Sequence, residues 1–259
     1  MSGRLRTLAW PVGVMAATLV LWEALVVGLG VRPLLLPAPT TIVRVLGARG
    51  DLLLEHTWPT FYQTVLGFLL SVAGGMLVAV LITYSRAVRN GFYPLIVVAQ
   101  IVPKISVAPL FVVWFGIGDV SRLLLAFLVA FFPMVINTAA GLQSVDEDIV
   151  KMARAYMGTR WQIFAKIRLP HAMPYIFSGM KISITLAVIG VIVAEFVAAQ
   201  RGIGYLITVA NGLLDTPLMM AAIAVLSGMG LALYAVIAAL ERVVVYWQTP
   251  AETTSAGTA

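Results

Sequence analysis

The chain contains no cysteine and only two histidines, and just 11% of its 259 residues are charged. The missing thiols exclude disulfides and thiolate metal sites, although they leave the compartment undecided. His56 and His171 stand too far apart in sequence to suggest a metal centre, so no metal ligand is assigned. A G-x-x-x-x-G-K-[ST] phosphate loop is also missing, so the chain does not bind ATP in that way. No nucleophile stands beside a base and no acids pair within an apolar run, so no catalytic residue is assigned either. Acidic residues number 11 against 17 basic ones, giving a net charge of +6. The basic residues are spread over the intervals between apolar runs, which fits membrane topology better than a nucleic-acid surface.

What fills the sequence instead is apolar: 61% of residues are hydrophobic and the mean hydropathy is +1.00. A soluble domain is about half apolar and about a quarter charged. The composition therefore predicts an all-α integral membrane protein. Crossing the hydrocarbon core takes about 20 residues. On that measure about six spans are expected: Leu8–Leu29, Thr60–Tyr84, Phe92–Phe115, Ser121–Gly141, Pro174–Ala198 and Pro217–Leu240. The first follows Arg4 and Arg6, but it is too long for a signal peptide and no small-residue cleavage site follows, so it is expected to be retained. Pro94, Pro103 and Pro109 interrupt the third. Gly67, Gly74 and Gly75 in the second permit close helix approach.

Residues Val31–Pro59, with Arg32, Arg44, Arg49, Asp51, Glu55 and His56, are too polar to span. There the stiff Leu36-Pro37-Ala38-Pro39 piece precedes a short helix, Thr41–Leu46, with Thr40 as its cap. The organisation expected is an N-terminal segment 1–7, a membrane domain 8–242 and a flexible tail 243–259. An even number of spans puts both termini on one side. Arg4, Arg6, Arg86, Arg89, Arg242 and the basic interval 150–170 mark that side as cytoplasmic.

That interval, within an elbow at 144–170, is the most distinctive stretch. Ser144 and Glu147 have capping-box spacing, so a helix is expected to start there. Val145, Ile149, Met152, Ala153 and Tyr156 give it one apolar face, and Gly158 is placed to end it in a left-handed conformation. Thr159 and Gln162 form a second capping box. Trp161, Phe164 and Ile167 then make an apolar stripe among Arg160, Lys166 and Arg168, and Pro170 is expected to stop the helix. Two capped amphipathic helices joined at an angle suit the docking of a soluble partner.

The elbow resembles the EAA loop of ABC importer permeases: E-A-A, three residues, G, nine residues, then I-x-L-P. Lys151, Met152 and Ala153 stand at the E-A-A positions, Met157 at the glycine, and Ile167, Leu169 and Pro170 at the end. The Trp22-Glu23 pair, the L-P-x-P segment and the run from Glu195 to Tyr205 extend the likeness over nearly the whole chain. It is nearest to the nitrate, sulfonate and taurine group, and within it the AQIVPKISVAPLFVVWFGIG run looks most like the thiamine pyrimidine-precursor branch.

The resemblance implies a type I importer permease fold in a bacterial inner membrane. It also implies a second permease copy, separate ATPase subunits carrying ATP and magnesium, and a periplasmic or lipid-anchored binding protein. The elbow, Lys151 to Pro170, would couple to the ATPase, with Trp161, Phe164 and Ile167 entering it and Arg160 and Lys166 pairing with acids around them. Lys104, beside Pro103 in the interrupted span, is a candidate for the translocation path, because charges at membrane depth are costly and mark function. Its alternatives are snorkelling or a salt bridge to Glu195, Asp119 or Glu23. Asn137 lines the path or bonds between helices. Glu195, Gly202, Gly204 and Tyr205 would form an outer gate or binding-protein contact, or else anchor the chain at the interface. Lys181 is expected to snorkel. An ion-coupled secondary transporter would also carry Lys104 and Glu195, but no internal repeat accompanies them.

Overall fold

The computed structural model describes residues 2–247, and every regular element among them is helical. In order these are α1 (Ser2–Gly28), α2 (Pro39–Ala48), α3 (Gly50–Tyr84), α4 (Arg86–Ile101), a 3-10 turn (Lys104–Val107), α5 (Ala108–Phe115) and α6 (Asp119–Gln143). They are followed by α7 (Glu147–Ala155), α8 (Arg160–Ile163), a π-helical turn (Phe164–Arg168), α9 (Leu169–Ala198), α10 (Ile203–Gly212) and α11 (Thr216–Val244). Five stretches are long and apolar enough to cross a membrane, and α4 with α5 makes a sixth if the pair is one span bent by 87°. The break falls at Val102, whose ψ of 126° is the extended backbone that Pro103 imposes on the residue before it.

The chain forms two compact units: residues to Phe61 with Ala199–Gly228, and Tyr62–Ala198 with residues from Met229 onward. The first is held by polar contacts at helix ends. Glu23 on α1 accepts from the Thr40 N–H at 3.1 Å and from its hydroxyl at 2.8 Å, satisfying the open N-terminus of α2. Thr40 therefore does not cap: α2 starts at Pro39, whose missing N–H suits the first helical turn. Arg49 pairs with Asp215 at 2.7 Å, and the Thr216 hydroxyl donates to the Leu34 carbonyl. Residues expected to form a separate surface piece up to Pro59 instead begin α3, with Pro59 inside it.

The second unit is built on α6 and α9. Close approach comes from glycine, as expected. A Cβ at Gly67 on α3 would stand 2.6 Å from the Ala126 Cβ of α6, and one at Gly190 on α9 would stand 2.8 Å from the Ala126 Cα. Gly75 meets Met134 in the same way, whereas Gly74 has ordinary van der Waals room. Hydroxyls bridge the helices: Ser71 donates to the Phe127 carbonyl and Ser183 to the Ala130 carbonyl. Lys181 pairs with Glu241 near the end of α11 at 2.8 Å, an acid one helix away that neutralises its charge. α11 also outlasts its expected end, and Val245 is buried in a cluster with Phe68 and Phe177. The tail thus cannot begin at 243, and 248–259 of the expected tail lie outside the described residues.

Candidate functional site

The elbow has its own small core. Val145, Val150 and Ile163 are buried together, with Ala153 and Ile167 packed against them. The first helix starts later than expected. Ser144 turns back to donate to the Gly141 carbonyl, and Asp146 becomes the cap by accepting from the Asp148 N–H at 2.8 Å. Its buried seam is Val145, Val150 and Ala153, so Ile149, Met152 and Tyr156 do not share that face and are exposed. The left-handed residue that turns the chain is Met157, with φ of 62°, and not Gly158. Gly158 is required for a different reason: a Cβ there would come within 2.7 Å of the Ala153 carbonyl oxygen. The second capping box is present in both directions between Thr159 and Gln162.

Pro170 does not end the second helix. Arg160 to Ala198 runs as one apolar helical stretch, and the elbow's second arm is the beginning of the fifth span. The π-helical turn at Phe164–Arg168 adjoins Pro170, where the ladder must accommodate a residue without a donor. Arg168 donates to the Leu142 carbonyl at 2.8 Å, tying this arm to the end of α6.

These contacts divide the candidate docking residues. Phe164 packs edge-on against Tyr84 and onto the cluster of Met134 and Leu142, where Leu169 also lies, and Ile167 is in the elbow core. Both are half-buried, so neither is as bare as the outward stripe that was expected. Trp161, Tyr156 and Met157 are 72%, 82% and 90% exposed, and Met152 joins them. Arg160 is exposed, and Lys151 is exposed while paired with Asp148. The outward apolar patch is thus Met152, Tyr156, Met157 and Trp161, fringed by Lys151 and Arg160.

Among the path candidates, Lys104 sits 4.8 Å above the ring of Phe132 on α6, a cation–π contact at the bend beside Pro103. Two of its suggested salt-bridge partners are engaged elsewhere: Asp119 with Tyr62, Gln63 and Arg122, and Glu23 with Thr40. Asn137 donates to the Pro133 carbonyl at 2.8 Å, and its Cβ faces Gly179 of α9. Glu195 is buried in α9, 2% exposed, and partnered within the fold. Its side chain is therefore placed within the helix packing and not on an exposed surface.

Gly202, Gly204 and Tyr205 belong to the first unit and form a capped helix start. The Gly202 N–H donates to His56 Nδ1 at 3.2 Å and the Ile203 N–H to the Thr60 hydroxyl at 2.9 Å. Tyr205 packs against the His56 ring in a tilted arrangement with centroids 5.7 Å apart, and Gly202 adopts φ of 120°, which only glycine tolerates easily. His56 and Thr60 were not foreseen, since 142 or more residues separate them from the helix they cap and no local pattern links them.

Comparison with known proteins identifies the family and the fold. The family model of binding-protein-dependent transport system inner membrane components matches residues 71–246. The chain is 34% identical to the riboflavin transport system permease protein RibX of Chloroflexus aurantiacus, over 95% of this chain and 96% of that one. It is 33% identical to the formylaminopyrimidine transport permease protein ThiX of Halalkalibacterium halodurans, over 89% and 92%. It is also 33% identical to the putative aliphatic sulfonates transport permease protein SsuC of Bacillus subtilis, over 92% and 87%. A solved inward-facing structure of the MetNI methionine ABC transporter superposes with a TM-score of 0.67, at 19% identity, covering 76% of this chain and 98% of that one. At that identity the likeness speaks to the fold.

Proposed function

The chain belongs to the binding-protein-dependent transport system inner membrane components, and from that membership we propose how its own residues do the work. It is the membrane-spanning permease of an ABC importer and a transport component, not an enzyme. Two copies line a path between them, and ATPase subunits bind and hydrolyse ATP on other polypeptides. The elbow docks on those subunits. The single observation that carries this reading is the outward patch of Tyr156, Met157 and Trp161 on an elbow whose own core is already filled. Large apolar groups left bare beside arginine and lysine are what a partner surface is made of.

Both termini and the elbow face the cytoplasm, as the lysine and arginine distribution supports. A binding protein outside the membrane delivers solute to the opposite side. Because ATP and solute must each favour one of two states for transport to be driven, the elbow is the element whose position both bias. The solute is small and polar or anionic, of the sulfonate or pyrimidine-precursor type that relatives are named for. Lys104, held over Phe132 at the bend, supplies a positive charge for it in the path.

Purification in detergent with a tagged permease tests the docking surface. The wild-type chain should bring down an ATPase encoded beside it, and Tyr156→Ala with Trp161→Ala should lose it while expression is kept. Phe164→Ala should instead lower stability, since that ring packs against Tyr84 and the cluster of Met134 and Leu142. Failure of the wild type to capture any ATPase would remove the docking assignment.

A further inference from the structure

Where the last turn of α3 meets the elbow, a cavity of about 530 Å³ is lined by Thr83, Tyr84 and the three guanidinium-bearing residues Arg154, Arg160 and Arg168, with no acid in the lining among the described residues. Arg89 stands close by, donating to the Thr83 carbonyl at 3.2 Å. Arg168 is held by the Leu142 carbonyl, whereas Arg154 and Arg160 are exposed. Like charges gathered around one cavity repel one another, and the carbonyls at the end of α3 offset only part of that cost. An anion seated among them would remove the rest, and arginine forks suit phosphate oxygens.

The cavity has an apolar annex. A second hollow of about 320 Å³, lined by Val80, Trp161 and Phe164, shares Tyr84 and Arg160 with the first. A free anion would use the basic part and leave the apolar part empty. A neutral hydrocarbon would do the reverse. One molecule with a phosphate joined to an acyl chain uses both, and the end of a membrane span is where such molecules are found.

We propose that the two hollows form one site for an anionic phospholipid, its phosphate among Arg154, Arg160 and Arg168 and its chain along Val80, Trp161 and Phe164. The site rests on the reading that places the elbow at the membrane surface. It also deepens that reading, because Trp161 borders the lipid and belongs to the ATPase-docking patch. A bound lipid narrows the positions open to Trp161, so headgroup charge becomes an input to coupling.

The test uses the full chain purified in detergent and native mass spectrometry after addition of phosphatidylglycerol, phosphatidylcholine or inorganic phosphate. Wild type should retain phosphatidylglycerol at least about tenfold better than phosphatidylcholine, as two or three basic contacts near a membrane surface imply. Arg154→Gln with Arg160→Gln should bring the two lipids to near-equal retention. Lys151→Gln, whose charge lies outside the cavity, should keep the preference. Equal retention by wild type, or an unchanged preference in the double variant, overturns the proposal. So does displacement of the lipid by inorganic phosphate at matched concentration, which would make this a free-anion site. Loss of the lipid on assembly with the ATPase would give the cavity to an acidic group of that subunit, and the lipid site would again fall. ATPase capture by the same preparations shows separately whether the docking reading holds.

Discussion

Met157 and Gly158 are neighbours with opposite requirements. Met157 carries a side chain at φ of 62°, where a Cβ crowds the following carbonyl, at a cost of about 1–2 kcal/mol. Gly158 has no positive φ but has no room for a side chain either. Met157→Gly should therefore raise the thermal unfolding midpoint in detergent, by about 1 kcal/mol of stability. Gly158→Ala should lower it, because the clash is with backbone that has no rotamer to change. Equal effects at the two positions would refute the assignment of the turn. The family spacing puts glycine at 157, and the left-handed backbone there is the physical reason for that preference. From the letters alone the glycine at 158 drew the turn to itself, since a glycine reads as flexibility whether its role is conformational or steric.

Among elements, α3, α6 and α9 meet at one small side chain. Gly67 and Gly190 both press on Ala126, and the absence of a hydrophobic drive between helices in lipid leaves packing and hydrogen bonds as the forces holding them. Gly67→Val or Gly190→Val should cost about 1–3 kcal/mol, read as a lower unfolding midpoint and poorer recovery from the membrane. Gly74→Ala should be close to neutral, since its contacts to Phe127 and Phe131 are at ordinary distance. Gly67, Gly74 and Gly75 carried the same expectation in the sequence, and only the facing helix distinguishes them. The elbow's second arm is a comparable case. Pro170 is a stop signal by rule, but a π-helical turn one residue earlier lets the fifth span start at Arg160. The elbow's second arm is therefore continuous with a membrane helix, as the proposed coupling to an ATPase requires.

At the scale of the whole molecule, the family and the fold identify the permease of an ABC importer, and what powers it can be read directly. Reconstituted with its ATPase and binding protein, the transporter should accumulate solute only with hydrolysable ATP, and collapse of sodium and proton gradients should leave the rate within about twofold. Uptake that followed an ion gradient and ignored ATP would contradict this. The spans, the broken third segment and the elbow were visible in the sequence, because long apolar runs, prolines and capping pairs act over a few residues. The limits of α3 and α11 were not. α3 starts at Gly50, ahead of the expected Thr60, and α11 runs on to Val244, past Leu240, with Val245 just beyond it buried against Phe68 and Phe177.

Composition and spacing by themselves determined that this chain is a bundle of membrane helices with one polar elbow, since lipid admits few other ways to satisfy a backbone. They also placed the break of the third span at Pro103, whereas Gly158 and Pro170 do not punctuate the chain as their letters suggest. Which elbow residues face outward was decided only by tertiary structure. Phe164 and Ile167 are spent on the chain's own core, and Tyr156, Met157 and Trp161 are left bare. The same holds for the partners of charged and polar groups: Glu23 with Thr40, Lys181 with Glu241, His56 with Gly202. A hydrophobic period registers burial averaged over a helix, whereas a hydrogen bond or an ion pair depends on which other helix arrives opposite, and that is settled only when the helices pack.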